Sequence, residues 1–155
     1  MLIFFGQHAR MSYMRKEVAS KGEIETIEWL SKLRWPSGPI CQSCKKRETS
    51  RLIKTRGLYQ CTNCRIQFSV FSGTRFEGTR LKPMDLSVGI IRFWEASVKN
   101  GHTVKWRGGM IGVRVFHRLV PQLSYSTAQR LHKKLAATPF SPDLSLDKYI
   151  SNLLR

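Results

Sequence analysis

The amino-acid sequence predicts an α+β fold, and three observations support that prediction. All four cysteines lie in two Cys-x-x-Cys pairs, Cys41 with Cys44 and Cys61 with Cys64, and sixteen residues separate the pairs. Short segments between and after the pairs alternate apolar and polar side chains or flank a glycine turn, which is typical of strands. Longer segments on both sides carry apolar residues at helical spacing. We therefore expect a small four-cysteine ribbon of short antiparallel strands, packed with helices and followed by a helical region that resembles a helix-turn-helix.

The first helix is expected from about Lys21 to Leu33, where apolar residues recur at helical spacing and glutamates weight the first turn. Ser20 is the expected N-cap, with Glu23 three residues later in a capping box. The helix should end before Pro36, because a residue that precedes proline avoids the helical conformation. Trp35 then either packs this helix against the ribbon or offers a stacking surface to a base. Packing is favoured, because most large aromatic side chains belong to a core.

Three short strands are expected in the ribbon. Two of them, Arg51–Lys54 and Leu58–Gln60, flank a turn in which Gly57 supplies the backbone freedom. The third spans Arg65–Phe71, where apolar residues alternate with polar ones. Its inward-facing side chains are expected to be Ile66, Phe68 and Val70.

The second half of the chain is predicted to be helical. Pro83 suits the first turn of a long apolar helix that ends at Asn100-Gly101. A short helix follows within Ile111–Leu119, but three glycines in residues 105–112 disfavour it, so that either no helix forms at this place or it begins only at Val113. Ser124 caps a basic amphipathic helix that runs to Leu135.

These elements divide the chain into four parts. Residues 1–20 show no clear period and remain poorly defined. Residues 21–80 contain a helix and the ribbon, residues 81–137 form the helical region, and residues 138–155 form a tail that ends in a short helix. The total of 155 residues is room for one domain or two very small ones.

The two cysteine pairs indicate a metal site. Four thiolates from two such pairs close a tetrahedral shell around Zn²⁺. Iron also accepts four thiolates, but no neighbouring residue suggests redox chemistry, so one zinc ion is the favoured occupant. Two disulfides are the other alternative. We disfavour them because the chain shows no export signal and a reducing compartment keeps thiols free.

The charge balance indicates a polyanionic partner. Lys and Arg number 27 against 10 Asp and Glu, which gives a formal net charge of +17 and a pI near 10.4. Nucleic acid is the first candidate, because dispersed cations neutralise its phosphates. An anionic membrane is disfavoured, because no run of eighteen apolar residues occurs and the opening apolar residues are too few for a signal-peptide core. We expect a cytoplasmic, nucleoid-associated protein.

The order of these features resembles the N-terminal region of insertion-sequence transposases that carry a transposase zinc-ribbon domain. The likeness lies in Leu33–Pro36 and Gly38 before the first cysteine pair, Tyr59-Gln60 before the second, and then Phe68-Ser69 and Ser72–Thr74. It is extended by Leu81–Met84 and Leu123–Ala128, each of which opens a later helix. The resemblance covers about Glu23 to Leu135. Gln42 departs from it, because the family has a proline or similar residue after the first ligand.

The resemblance implies that a zinc ribbon and a helix-turn-helix recognise the inverted repeats at the ends of a mobile element. In that family a separate RNase H-like domain with acidic metal ligands cuts and joins the DNA. Here only 20 residues follow Leu135, with Asp143 and Asp147 as their carboxylates, so we expect no catalytic activity. Asp85 and Glu95 are expected to be surface residues or partners of nearby cations.

The basic helix from Ser124 is expected to enter the major groove of double-stranded DNA. The candidate base-reading residues are Tyr125, Ser126, Thr127, Gln129 and Arg130, and the candidate phosphate contacts are Lys133 and Lys134 on this helix and Lys45, Lys46, Arg47, Arg51, Lys54 and Arg56 on the ribbon. For any one of these residues, a solvated charge without a partner is the alternative. For the whole protein, the alternatives are a ribbon that binds structured RNA or ribosomes, and an accessory subunit that self-associates or recruits a separately encoded transposase.

Overall fold

The computed structural model describes residues 22–101, 111–138 and 144–155. These residues form a three-stranded antiparallel sheet of order β1-β2-β3 and five helices, which confirms the α+β prediction. In chain order the elements are α1 (Glu23–Arg34), β1 (Ser50–Ile53), β2 (Leu58–Cys61), β3 (Gln67–Phe68), α2 (Pro83–Gly101), α3 (Val113–Leu119), α4 (Tyr125–Ala136) and α5 (Leu146–Leu153). The predictions made for residues 1–20 lie outside the described residues.

Helix α1 begins at Glu23, two residues later than predicted. Gly22 is its N-cap, and the Gly22 N–H donates a hydrogen bond to Oε2 of Glu25 at 2.9 Å. The N-cap is therefore Gly22 and not the expected Ser20. The glutamate of the capping box is correspondingly Glu25 and not Glu23. The helix ends at Arg34, before Pro36, as predicted.

Strands β1 and β2 form a hairpin with Ser50 opposite Cys61 and Ile53 opposite Leu58. Gly57 closes its turn with a φ of +63°, and a Cβ atom built there would lie 2.7 Å from Cδ1 of Ile27 on α1. The hairpin turn therefore approaches α1 so closely that only glycine fits without a shift.

Strand β3 has only two residues, so the prediction of a strand over residues 65–71 is too long. Arg65 has a φ of +62°, which belongs to a turn and not to a strand. Ile66 consequently points outward and is 44% exposed, against the predicted alternation. Phe68 and Val70 are buried as predicted.

The core of the ribbon is a small aromatic cluster. Trp35 is 7% exposed, and its ring meets those of Tyr59 and Phe68 edge-on at centroid distances of 5.7 and 5.9 Å. The interpretation of Trp35 as a packing residue is confirmed. Tyr59 and Phe68 face each other across the β2–β3 pair, so this cluster joins α1 to the sheet.

Helix α2 is the central element of the helical half. Its buried residues include Leu86, Ile90, Ile91, Phe93 and Trp94. Helix α3 begins at Val113, as the glycines before it predict, and α4 is capped by Ser124, whose side chain accepts a hydrogen bond from the Thr127 N–H. Both short helices pack against α2 and against each other.

Helix α5 closes the core from the other side, where it packs against α1 and α2. The indole N–H of Trp94 donates to the Leu144 carbonyl at 3.2 Å, and the Tyr149 hydroxyl donates to the Leu135 carbonyl at 3.1 Å. Burial raises the pKa of Tyr149. The final short helix is confirmed, and its apolar residues belong to the same core as α2.

Two polar residues of this half pack against apolar neighbours. Glu95 is 5% exposed, because it lies on the packed side of the central helix, so the surface alternative is wrong for this residue and the alternative of a partnered carboxylate stays a prediction. The ring of His132 lies close to the buried rings of Phe93 and Phe116, at centroid distances of 5.5 and 5.9 Å. Its Nε2 atom is 2.7 Å from the Ile111 carbonyl oxygen, so this half-buried histidine has a hydrogen-bond partner at the edge of the core.

Candidate metal centre and basic surfaces

Two tight turns bring the four cysteines together. Cys41 and Cys44 lie on the turn before β1, and Cys61 ends β2 with Cys64 on the turn that follows. All four Sγ atoms lie within 4.8 Å of one another, with 3.5 Å between Cys41 and Cys64 and 3.6 Å between Cys44 and Cys61. A tetrahedron with Zn–S bonds of about 2.3 Å has sulfur–sulfur edges of roughly 3.8 Å. The cluster therefore has the size of one tetrahedral zinc site.

The two turns have the same backbone hydrogen bonds. In the first, the Lys45 N–H donates to the Cys41 carbonyl at 3.0 Å, and in the second the Arg65 N–H donates to the Cys61 carbonyl at 2.9 Å. Lys45 has a φ of +57° and Arg65 a φ of +62°, so both residues adopt the left-handed conformation that glycine adopts more easily. Each turn thus places a cationic side chain directly after its second cysteine.

Hydrogen bonds around the sulfurs favour the thiolate that a metal requires. The Thr49 hydroxyl lies 3.4 Å from Sγ of Cys61 and, with the backbone N–H groups of Cys64 and Asn63, lowers the pKa of the Cys61 thiol to about 6. Burial acts to raise the pKa of Cys41, but the backbone N–H groups of Cys44 and Ser43 outweigh it and lower that pKa. Such donors stabilise negative charge on sulfur.

The pKa of the Cys64 thiol indicates that a cation would stabilise the cluster of four thiolates. The backbone N–H of Ile66 acts to lower the pKa of Cys64, but burial and the neighbouring cysteines outweigh it and raise that pKa to about 11. Four thiolates at this spacing repel one another unless a positive charge lies between them. Two positive charges on a zinc ion supply that compensation, and metal binding releases the remaining protons.

The comparisons with known proteins agree with this geometry. The family model of the transposase zinc-ribbon domain matches residues 22–67, a stretch that contains α1, β1, β2 and all four cysteines. Residues 22–67 are a transposase zinc-ribbon domain. Its four cysteines form a single zinc site, which confirms the prediction of one Cys₄ zinc ion.

The remaining comparisons add no further domain. No catalytic domain is recognised in the chain. No curated protein and no solved structure matches it. None of the described helices is both long and apolar enough to cross a membrane.

The six basic residues that the sequence indicated on the ribbon are all exposed: Lys45, Lys46, Arg47, Arg51, Lys54 and Arg56. Two of them have polar partners on the neighbouring turn or strand. Lys46 Nζ donates to Asn63 Oδ1 at 2.9 Å, and the Arg56 guanidinium donates to Gln67 Oε1 at 3.5 Å. These pairs are solvent-exposed and leave the cationic groups accessible.

Helix α4 separates an apolar face from a polar one. Ala128, Leu131 and Leu135 are buried against α2 and α3, whereas most of the indicated contact residues are exposed: Tyr125, Ser126, Gln129, Arg130 and Lys133. Thr127 and Lys134 are half-buried. The Thr127 hydroxyl lies 2.8 Å from Oγ of Ser124, so it belongs to the helix cap.

Sequence reasoning missed two arginines beside this helix. Arg75 and Arg80 belong to the glycine-rich segment between β3 and α2, and the Arg75 guanidinium donates to the Lys134 carbonyl at 3.1 Å. This contact spans 59 residues of sequence. A segment without regular periodicity does not indicate which helix it packs against. The positive charge of the two arginines was the one sequence signal that could have singled them out.

Proposed function

We propose that this protein is a zinc-dependent binder of double-stranded DNA that acts like the inverted-repeat-recognising region of an insertion-sequence transposase and performs no strand cleavage itself. The observation that carries the proposal is the exposed polar face of α4, which accompanies a transposase zinc-ribbon domain in a chain of net charge +17. A cationic helix on a rigid core next to a DNA-associated ribbon suits a duplex better than other polyanions.

In this proposal α3, the turn at residues 120–124 and α4 act as a helix-turn-helix supported by α2. Tyr125 and Ser126 begin α4 and are exposed, and Gln129 and Arg130 follow one turn later on the polar face. Amide and guanidinium groups recognise adenine and guanine in the major groove. Thr127 is the weakest of the proposed base-reading residues, because its hydroxyl is already used in the cap.

The cations on the ribbon and the last turn of α4 would hold the phosphate backbone. Lys133 and Lys134 lie in that last turn, and the six ribbon cations are exposed. Each phosphate neutralised releases counterions, so such contacts add affinity without adding sequence preference. The ribbon would position the protein, and α4 would read the sequence.

The experiment that tests this division of labour compares two variants on duplexes selected from a random pool. Arg130→Ala should weaken the selected sequence by about 1–3 kcal/mol and relax its base preference, whereas Lys46→Ala should weaken all sequences alike. Lys148→Ala, at an exposed position of α5, is the matched control. Equal losses on every sequence for both variants would contradict the assigned roles.

Competition against structured RNA at a stated salt concentration decides between nucleic acids. The proposal expects the selected duplex to displace bound RNA. Preferential binding of structured RNA would contradict the proposed DNA binding and favour the RNA-binding alternative. Co-purification with a separately encoded transposase would instead favour the accessory-subunit alternative.

A further inference from the structure

A basic cleft lies between the segment 76–81 and helix α4. It has a volume of about 580 Å³, and its lining includes Gly78, Thr79 and Arg80 on one side and Thr127, Arg130 and Lys134 on the other. Phe76 and Leu131, both buried, form part of its apolar wall. The cleft therefore combines an apolar wall with hydroxyl and cationic groups from two distant parts of the chain.

The charge of this cleft has one sign. Among the described residues that line the cleft, three are Lys or Arg and no lining residue is Asp or Glu. The carboxylate of the same segment, Glu77, does not line the cleft, and it accepts a hydrogen bond from the Gly73 N–H at 3.2 Å. Converging cations without a carboxylate repel one another, and an anion in the cleft would relieve that repulsion.

The walls of the cleft are held in place before any ligand arrives. The Arg75 guanidinium donates to the Lys134 carbonyl at 3.1 Å, which ties the segment to the last turns of α4. Lys134 Nζ lies 5.9 Å from the centroid of the buried Phe76 ring, a cation–π contact that restrains the lysine. Side chains already restrained lose less entropy when they bind.

Gly78 leaves part of the cleft wall bare. Its φ is +71°, and no atom lies within 4 Å of the position where a Cβ would stand. A glycine of this kind lets a ligand approach the backbone closely. Thr79 next to it contributes a hydroxyl to the lining.

We infer that this cleft binds phosphate groups of one DNA strand, with Arg80 and Lys134 as the phosphate-contacting residues on its two walls. This inference rests on the proposed binding of double-stranded DNA by α4. Guanidinium and ammonium groups are the side chains that hold phosphate oxygens best. Arg130 lines the same cleft from the polar face of α4, so a strand held by Arg80 and Lys134 presents its bases next to Arg130. The segment between the ribbon and α2 thereby becomes part of the DNA-binding surface.

The test measures duplex affinity against salt concentration for the zinc-loaded full chain. Arg80→Ala and Lys134→Ala should each weaken binding roughly tenfold on every sequence and lower the slope of log K against log salt by about 1, and the double variant by about 2. Arg155→Ala removes the same charge at an exposed residue outside the cleft and should leave the slope unchanged. Zinc content and far-UV circular dichroism verify that each variant is folded.

Two outcomes overturn the inference in distinguishable ways. If the wild type binds duplex with the expected salt dependence but Arg80→Ala and Lys134→Ala behave like Arg155→Ala, the cleft assignment fails and the proposed function stands. If the wild type itself shows no salt-dependent affinity for any duplex, both the cleft assignment and the proposed function fail.

Discussion

The ribbon and the helical half of this protein reach an ordered state by different means. The ribbon, residues 40–71, has four cysteines and a small aromatic cluster around Tyr59 and Phe68 at its centre. The helical half, residues 83–155 where described, buries large side chains from every one of its helices, among them Phe93, Phe116 and Tyr149. One chain thus combines a metal-organised module with a module organised by apolar packing, and we expect that a substitution can disturb one module while the other stays folded.

Helix α1 belongs to both modules. It lies within the transposase zinc-ribbon match, its Trp35 end packs on the sheet, and its other contacts are with α2 and α5. At its end the Arg34 guanidinium donates to the carbonyls of Val70 and Ser72, both at 2.7 Å. Burial lowers the pKa of Arg34 to about 10, although Glu77 acts against this. The helix and its last arginine therefore couple the two modules.

The largest expected effect is the loss of the zinc site. Cys61→Ser should abolish zinc binding and unfold the ribbon, because a bound zinc contributes on the order of 10 kcal/mol in small metal-dependent domains. Amide hydrogen exchange should show β1–β3 unprotected while α2 and α4 keep their protection. Ser43→Ala, at an exposed position between two ligands, is the control and should retain zinc. Protected amides in β1–β3 of the zinc-free variant would show that the ribbon folds without zinc.

A cavity in the helical half should have the converse effect. Phe93 is fully buried and packs edge-on against Phe116 at 5.7 Å, so Phe93→Ala should destabilise the protein by about 3–5 kcal/mol. Denaturant unfolding measures this loss, and the zinc content of the folded fraction should stay at one ion per chain. Val115→Ala, at an exposed position of α3, is the control. Zinc release at the same denaturant concentration as helix unfolding would show that the two modules form one cooperative unit.

Removal of the Arg34 clamp should separate the modules. Arg34→Met keeps an unbranched side chain but leaves two carbonyls without their donor, and we expect a loss of about 2 kcal/mol. Denaturant unfolding of the variant should then show two separate transitions, one for the zinc-dependent ribbon and one for the helices. In the wild type we expect the midpoints of these transitions to lie closer together. The control is Lys32→Met, an exposed cation of the same helix. A single unchanged transition would remove Arg34 from its proposed coupling role.

The smallest expected effect concerns the two cysteine turns. Lys45→Gly should stabilise the ribbon by about 0.5–1 kcal/mol, because glycine adopts the positive φ of this turn without the strain of a side chain. The same substitution removes one exposed cation, so duplex affinity should fall slightly while stability rises. Lys46→Gly, at a neighbouring residue without positive φ, should give the loss of affinity without the gain in stability. Equal stability changes for both variants would contradict the strain argument.

The sequence predicted the parts of the structure that local rules determine. The cysteine pairs indicated the metal site, because their spacing alone brings thiolates together. Ser124 and the apolar spacing after it indicated α4, and the glycines before Val113 indicated where α3 begins. The helix starts depend on residues a few positions apart, and each cysteine pair is itself a local pattern.

What the sequence did not predict depends on tertiary contacts. Ile66 fits a strand pattern, yet the turn that positions Cys64 rotates it toward solvent. The burial of Glu95 and the packing of His132 against Phe93 depend on neighbouring helices, and composition alone does not indicate them. The basic cleft was not predicted for the same reason: Arg80 and Lys134 line one cleft but lie far apart in the sequence.

One zinc ion held by four thiolates organises the ribbon and the exposed cations that the ribbon carries, and X-ray absorption at the zinc edge of the purified protein can examine this zinc site without any substitution. We expect one zinc per chain with four sulfur neighbours at about 2.3 Å. Nitrogen or oxygen neighbours in place of sulfur, or strands β1–β3 that stay folded without zinc, would show that four thiolates and zinc do not organise the ribbon.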